Sequence, residues 1–500
     1  MERSDSTFKP ALMLMSGRAV AFAVTFFVPA VLTRVFSQTE FGTYKQFWLI
    51  TYTLFGVGQF GLSECLFYFL PANPKRAGQY IFNSLVMLGL MGGLFAAGLI
   101  FYASRVAHWV NNEPLTGYMP LAALYLLFML MGTVFEITMI NRKTFRLATA
   151  TYVLTDVLRA AFLILPALIT RNLGLMLISA VVFCALRVVA MLVYFRAEFG
   201  NELRFDTSLL REQLRYTIPY SCAIFIQIIQ QNYHQYAVSW HFDAATFAIY
   251  SVGCLQIPLV DFMFTPTCNV MMVQMGEHLR EGQPHRVSLV WKDTVRRLAL
   301  VFLPLVGLLV VNAYPLITLL YTSAYAASVP IFMLWSVSIL FSVFPTDGVL
   351  RTFAQNRWLL TTNIARLAMI VALMGWFIFK FHLIGAVLIT LSGMLLAKVM
   401  HLARVKTLLG LDMAQLLPWS SLGSILLVSM ISAIPSVILN ARLDVPLLIL
   451  LPASGMTYLC TFTLLVLLFG LLTPEEKAAL KRSLYVWNRR SAESRRQAGI

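Results

Sequence analysis

From Pro10 to Pro71 the chain runs as two long apolar segments joined by the polar turn Ser37–Gln38–Thr39–Glu40. Each segment is long enough for a membrane-crossing helix, which needs about 20 apolar residues. Yet Arg18 lies inside the first segment and Glu64 inside the second. A charge at membrane depth costs about 2.5–3.5 kcal/mol on insertion scales and generally faces a bundle interior or a water-filled cavity. This one hairpin therefore imposes two constraints: helices that cross a bilayer, and something polar enclosed among them.

The rest of the chain repeats the pattern. Of its 500 residues 59% are hydrophobic and 12% are charged, with a mean hydropathy of +0.76; a soluble domain carries about 25% charged residues. The expected fold class is all-α, a polytopic membrane protein of fourteen spans. They begin at 10–33 and 46–70, continue through 79–102, 118–140, 150–170 and 173–195, and resume at 216–239 and 246–273. After 298–320, 328–350, 359–380 and 383–402 come the last two, 417–440 and 445–471. Only Arg171 and Asn172 separate the fifth span from the sixth. The apolar runs are too long and continuous for barrel strands.

Orientation follows from Lys and Arg. With a cytoplasmic N-terminus, 27 of the 38 fall on inner segments, among them Lys75, Arg142, Arg211, Arg286, Arg404 and seven in the tail. Six fall on outer segments (Arg34, Lys45, Arg105, Arg171, Lys380, Arg442) and five lie within spans. That bias predicts both termini on the cytoplasmic side of the membrane. The net charge of +16 then reads as topology and attraction to anionic lipid, not as a nucleic-acid footprint. Arg3 and Lys9 precede the first span without a clear small-residue cleavage site, so that span reads as retained. All six cysteines sit in apolar stretches without a CxxC pair or Cys/His cluster, so neither a zinc site nor a disulfide framework is indicated. No cofactor is expected.

An internal repeat is also legible. Phe41–Gly42–Thr43–Tyr44 matches Phe247–Ala248–Ile249–Tyr250; Arg142 matches Arg351, and Arg159 matches Arg366. Gly174 and Arg187 match Gly385 and Lys398. The matches keep their order, so spans 1–6 and 7–12 read as two parallel copies of a six-helix unit. Transporters commonly place a substrate site at such a repeat interface. The expected domains are 1–200, 201–410, a two-span appendage at 411–472, and a basic cytoplasmic tail at 473–500.

These residues carry a resemblance. Ser16–Gly17–Arg18, Thr39–Glu40–Phe41–Gly42–Thr43–Tyr44, Phe247–Ala248–Ile249–Tyr250–Ser251 and Leu383–Ile384–Gly385–Ala386 make the chain similar to the multidrug/oligosaccharidyl-lipid/polysaccharide exporter superfamily. It most resembles the polysaccharide transporter branch of oligosaccharide-lipid flippases. The resemblance implies two lobes around a central cavity, alternating access, and a polyprenyl-diphosphate-linked oligosaccharide moved from the inner to the outer leaflet. It further implies membrane lipids and a polysaccharide polymerase or export machinery as partners, with no nucleic acid, and a monomer. The branch often carries an Asp-Arg pair in the seventh span, where this chain has Asn232–Tyr233–His234.

A lipid diphosphate calls for fixed positive charge, and the planar fork of Arg matches phosphate oxygens. Arg18, Arg159, Arg187 and Arg366 are the candidates, with Arg18 foremost because the first span faces the cavity in the resembling family. The plainer readings are snorkelling, or structural pairs with Glu64, Glu136 or Asp156. Arg159 follows Asp156 by three residues on one helix face, so an intrahelical pair is the rival there. Arg187 and Lys398 stand near inner span ends, where snorkelling explains them. Sugars call for amides and hydroxyls. Gln227, Gln231 and His234 recur at i, i+4, i+7 on one face of the seventh span, reading either as a wall of a sugar cavity or as interhelical hydrogen-bond glue. Glu64, Glu136, Asp261 and Asp347 are the candidates for cation coupling. Two other classes stay open: a cation-coupled drug exporter of the same superfamily, and a membrane-embedded polysaccharide enzyme. Against the second, the longest outer loop, 103–117, is short, and the chain is not read as an enzyme. No Walker motif is present, which argues against an ATP-driven pump.

Overall fold

A computed structural model of the chain describes residues 26–142, 144–474 and 476–477. Arg18 and most of the basic tail lie outside the described residues. All regular structure among those residues is helical. In chain order come α1 (Phe26–Val35), α2 (Gln38–Gln59), α3 (Leu66–Ala72), α4 (Ala77–Phe101), α5 (Ala103–Trp109), α6 (Met119–Gly132) and α7 (Val134–Asn141). Next are α8 (Phe145–Thr170), α9 (Leu173–Phe199), α10 (Thr207–His241), α11 (Ala244–Gly253), α12 (Pro258–Arg280) and α13 (Pro284–Val311). Then follow α14 (Ala313–Tyr321), α15 (Val329–Ser336), α16 (Thr346–Thr352), α17 (Asn356–Leu409), α18 (Met413–Leu416), α19 (Trp419–Arg442) and α20 (Leu447–Leu468).

Among the described residues nine helical segments are long and apolar enough to cross a membrane, or ten if Ala244–Gly253 and Pro258–Arg280 form one broken span. Fourteen apolar runs do not yield fourteen straight apolar helices, for local reasons. The second run breaks after α2, where Phe60 and Gly61 take φ of 47° and 65° and put Glu64 in a turn before α3. The eleventh and twelfth runs share α17, whose helical path is interrupted at His382 (φ 52°). There the chain doubles back, and Gly385 meets the Phe377 carbonyl so closely that a Cβ would lie 2.0 Å from it. The fifth and sixth runs part at Arg171 (φ 50°) and at Asn172, whose side chain caps α9 by accepting from Leu175 N–H at 3.1 Å.

The chain forms two compact units. One holds the residues up to Leu255 with Leu320–Ile331 and Asn363–Gly393; the other holds Gln256–Leu319, Phe332–Thr362 and Met394 onward. In the first unit the polar turn at Ser37 is a helix start. Ser37 N–H donates to Glu40 Oε2 (2.9 Å) and Glu40 N–H to Ser37 Oγ (3.3 Å), a reciprocal cap. Asp243 caps α11 in the same sense, accepting from Thr246 N–H at 2.9 Å. These two capped helices carry the matching Phe–Gly–Thr–Tyr and Phe–Ala–Ile–Tyr stretches, and they pack on one another. A Cβ on Gly42 would stand 1.8 Å from the Ala244 carbonyl oxygen, so only glycine permits this approach. Phe41 and Phe247 are fully buried. The loop before α10 is tied to α4: Asn83 bonds both the N–H and the carbonyl of Asp206, and Arg76 pairs with the Asp206 carboxylate at 2.8 Å.

The second unit is built on α13. Trp291, fully buried, donates its indole N–H to the Leu416 carbonyl at 2.9 Å. Gly307 lies under Tyr458, whose hydroxyl donates to Ser429 O at 3.0 Å. Arg296 bonds Glu476 and anchors the start of the C-terminal tail. Burial alone would raise the Glu476 pKa, but hydrogen bonds from Arg296 and Thr473 outweigh it and hold the carboxyl below its usual range.

Candidate functional site

The most polar of the long helices is α10, 35 residues long and capped at its start by Asp206. One side grips α2: Asn232 donates to Thr53 Oγ1 (3.1 Å), Tyr236 donates to Leu49 O (3.3 Å), and Ile228 fills the space beside Gly56. Another side carries Gln230 and His234, both buried. Gln230 donates to the Asn363 carbonyl at 2.8 Å, and His234 Nδ1 lies 2.8 Å from the Tyr250 hydroxyl on α11. At 100° per residue Gln227 and Gln231 fall on the arc next to His234, and both are exposed. The amide row expected from the sequence therefore divides. His234 is a packed hydrogen-bonder, while Gln227 and Gln231 are exposed.

The cations and acids of the first unit are largely engaged. Arg159 Nη2 donates to Asp156 Oδ1 at 2.7 Å within α8, the intrahelical pair that the spacing offers. Arg366 is half-buried, acts electrostatically on His234, and sits with its Cγ against Gly393. Glu136 is buried, and Arg187 of α9 spans both its carboxylate oxygens at 2.7 Å while also donating to the Gly132 carbonyl. Glu64 differs. In the turn between α2 and α3 its Oε2 is buried with no hydrogen-bond partner among the described residues.

In the second unit Asp261 stands exposed in the first turn of α12. Asp347 opens α16 inside a polar cluster that its sequence neighbours do not reveal. His401 is buried, with Nδ1 at 3.1 Å from Asp347 Oδ1 and Nε2 at 2.7 Å from Thr362 Oγ1. Lys398 Nζ donates to the Phe344 carbonyl at 2.8 Å and lies 3.7 Å from Asp347. Thr346 completes the group, within 3.3 Å of His401. The structure thus gathers Asp347, Lys398, His401, Thr346 and Thr362, and leaves Asp261 apart from these contacts. Among the described residues no group of His, Cys, Asp and Glu is arranged to hold a metal ion.

Sequence reasoning missed His401, Thr362 and a second network. Gln46, fully buried in α2, donates to the Val110 carbonyl (2.9 Å) and to Ser239 Oγ (2.7 Å). Asn112 donates to Thr43 Oγ1 (2.9 Å) and to Gln46 Oε1. Polar residues three and four places apart on one helix face, Thr39, Thr43 and Gln46, were the available signal.

The comparisons with known proteins fit this architecture. The sequence matches the family described as polysaccharide biosynthesis protein over residues 31–330, more than half of the chain. No curated protein matches it in sequence. Among solved structures the fold is similar to the lipid II flippase MurJ in an inward closed conformation, with TM-score 0.71 at 12% identity, covering 90% of this chain and 98% of that one. It is also similar to an inward-facing multidrug resistance MATE family transporter of the MOP superfamily, with TM-score 0.57 at 13% identity over 79% of this chain and 99% of the other. A MOP superfamily transporter from Pyrococcus furiosus matches with TM-score 0.52 at 14% identity, over 79% and 94% of the two chains. At such identities the likeness concerns the fold, an all-α polytopic membrane architecture shared with these transporters. By the match over residues 31–330, the chain belongs to the polysaccharide biosynthesis protein family.

Proposed function

We propose that the protein is a flippase that moves a polyprenyl-diphosphate-linked oligosaccharide from the inner to the outer leaflet of the cytoplasmic membrane. Transport proceeds by alternating access, with 1–200 and 201–410 as the moving lobes, both termini cytoplasmic, and no covalent chemistry on the substrate. Membership in a polysaccharide biosynthesis family supports a saccharide-bearing substrate. The fold shared with a lipid II flippase supports the flippase part of the reading. The observation that carries the reading is the exposed pair Gln227 and Gln231 on α10. An amide facing hydrocarbon is costly, so two of them one helical turn apart call for water or a polar ligand beside them. Sugar hydroxyls both donate and accept hydrogen bonds, and a side-chain amide does the same. Arg18 would hold the diphosphate, with Arg366 and Arg159 as further cations, and Glu64, whose Oε2 has no hydrogen-bond partner among the described residues, is the first choice among the acids for ion coupling.

The reading is tested on α10. Gln227→Leu/Gln231→Leu should slow flipping of a fluorescent lipid-linked oligosaccharide in reconstituted vesicles, with membrane abundance kept. A double variant that flips at the normal rate removes α10 from the sugar path.

A further inference from the structure

The first unit carries a polar concavity that does not include Gln227 or Gln231. A cavity of about 1070 Å³ opens where α5 and the loop after it meet the end of α10 and the start of α11. The charge bias puts this end on the outer face. Two tryptophans, Trp109 and Trp240, line it, and their rings lie 6.2 Å apart at 41°. Trp109 also stacks on Tyr236 at 5.6 Å and 28°. Around this platform stand the donors Arg105, His108 and Asn111 and the acceptors Glu113 and Asp243.

The floor is built. Asn112 is buried and held by Thr43 and Gln46, and Gln46 in turn holds the Val110 carbonyl and Ser239. Asn111 takes a left-handed φ of 51°, with its N–H donating to His108 O at 3.1 Å. Such a conformation persists in a non-glycine residue when the surroundings over-determine it. Interface tryptophans usually serve as membrane anchors, but here both rings line a cavity that charged groups also line, and one is stacked on Tyr236.

We propose that this cavity is a carbohydrate-binding site, an outer station for the sugar headgroup; this rests on the flippase reading above. Aromatic faces suit the apolar faces of sugar rings, and mixed donors and acceptors suit their hydroxyls. One fixed cation, Arg105, is set against two acids, Glu113 and Asp243, so the site favours a polyhydroxyl group over a phosphate. The volume lies just above the small-molecule range of about 300–1,000 Å³, enough for a short oligosaccharide.

The test is saturation-transfer NMR on the purified full-length protein. The probe is the lipid-free oligosaccharide released by mild acid from the lipid-linked pool of the host cell. Transfer to the sugar-ring protons is expected in the wild type, falling about ten-fold in Trp109→Ala/Trp240→Ala and largely kept in Trp109→Phe. If the double variant does not fold, Arg105→Ala/His108→Ala, at two exposed positions, carries the same expectation of loss. No transfer in the wild type, or transfer that survives the variants, overturns the site. Flipping by the same preparation separates the two readings. Flipping without sugar binding here sinks this site alone, whereas binding without flipping keeps the site and sinks the flippase.

Discussion

Replacing Arg187 with Met should cost the protein several kilocalories of stability, and replacing Glu136 with Leu at the same time should restore most of it. Arg187 Nη2 meets both Glu136 oxygens at 2.7 Å, and the two side chains are 19% and 4% exposed. Removing the arginine strands a carboxylate away from water, for which a loss of about 3–5 kcal/mol is expected. Neutral hydrogen bonds between membrane helices contribute only about 0.6 kcal/mol on average. A loss of several kcal/mol therefore identifies an uncompensated charge rather than a missing hydrogen bond. Removing both partners leaves no stranded charge, and buried pairs replaced by apolar side chains are often neutral; the double variant should lie within about 1–2 kcal/mol of wild type. Reversible unfolding in mixed detergent micelles, followed by tryptophan fluorescence, gives these values. Additive losses, or a stable Arg187→Met protein, would refute the pairing as a structural element. Glu136 would then return as a candidate for ion coupling.

Three further outcomes are expected. Gly42→Ala should sharply lower the amount of folded protein in the membrane, because its Cβ would stand 1.8 Å from Ala244 O, whereas Gly93→Ala, with open space around it, should not; quantitative blotting with a thermal melt compares them. Cysteines placed at 75, 142, 211, 286 and 404 should react only from the cytoplasmic side, and labelling of any of them from outside in intact cells breaks the orientation nearby. Arg18→Ala should abolish flipping at normal membrane abundance, and Arg18→Lys should impair it because the bidentate fork is lost. If Arg18 instead serves Glu64, Arg18→Ala lowers abundance and Arg18→Ala/Glu64→Ala restores it.

What the sequence disclosed was local, and what it hid depended on distant contacts. Apolar runs mark membrane helices because hydropathy is read residue by residue, and Asp156 with Arg159 three places on is a pair that helix geometry alone proposes. The chain reversal at His382 falls where the eleventh and twelfth runs separate. The break at Phe60 was not legible, since a left-handed phenylalanine has no sequence mark beyond the glycine that follows it. Arg187 finds Glu136 51 positions away, and His401 joins Asp347 to Thr362 across similar gaps. No periodicity encodes such partners. The division of the α10 row has the same cause: spacing puts Gln227, Gln231 and His234 on one face, but Tyr250 of α11 decides that the histidine is buried.

The central claim is the substrate, and one reconstitution measures it directly. Protein in sealed vesicles is given a fluorescent polyprenyl-diphosphate-linked oligosaccharide in one preparation and a cationic dye in another, and leaflet exchange and dye transport are followed side by side. The account predicts protein-dependent exchange of the lipid-linked oligosaccharide, with no dye transport above that of empty vesicles. Dye transport driven by an ion gradient, with the lipid-linked oligosaccharide left in its original leaflet, would contradict it.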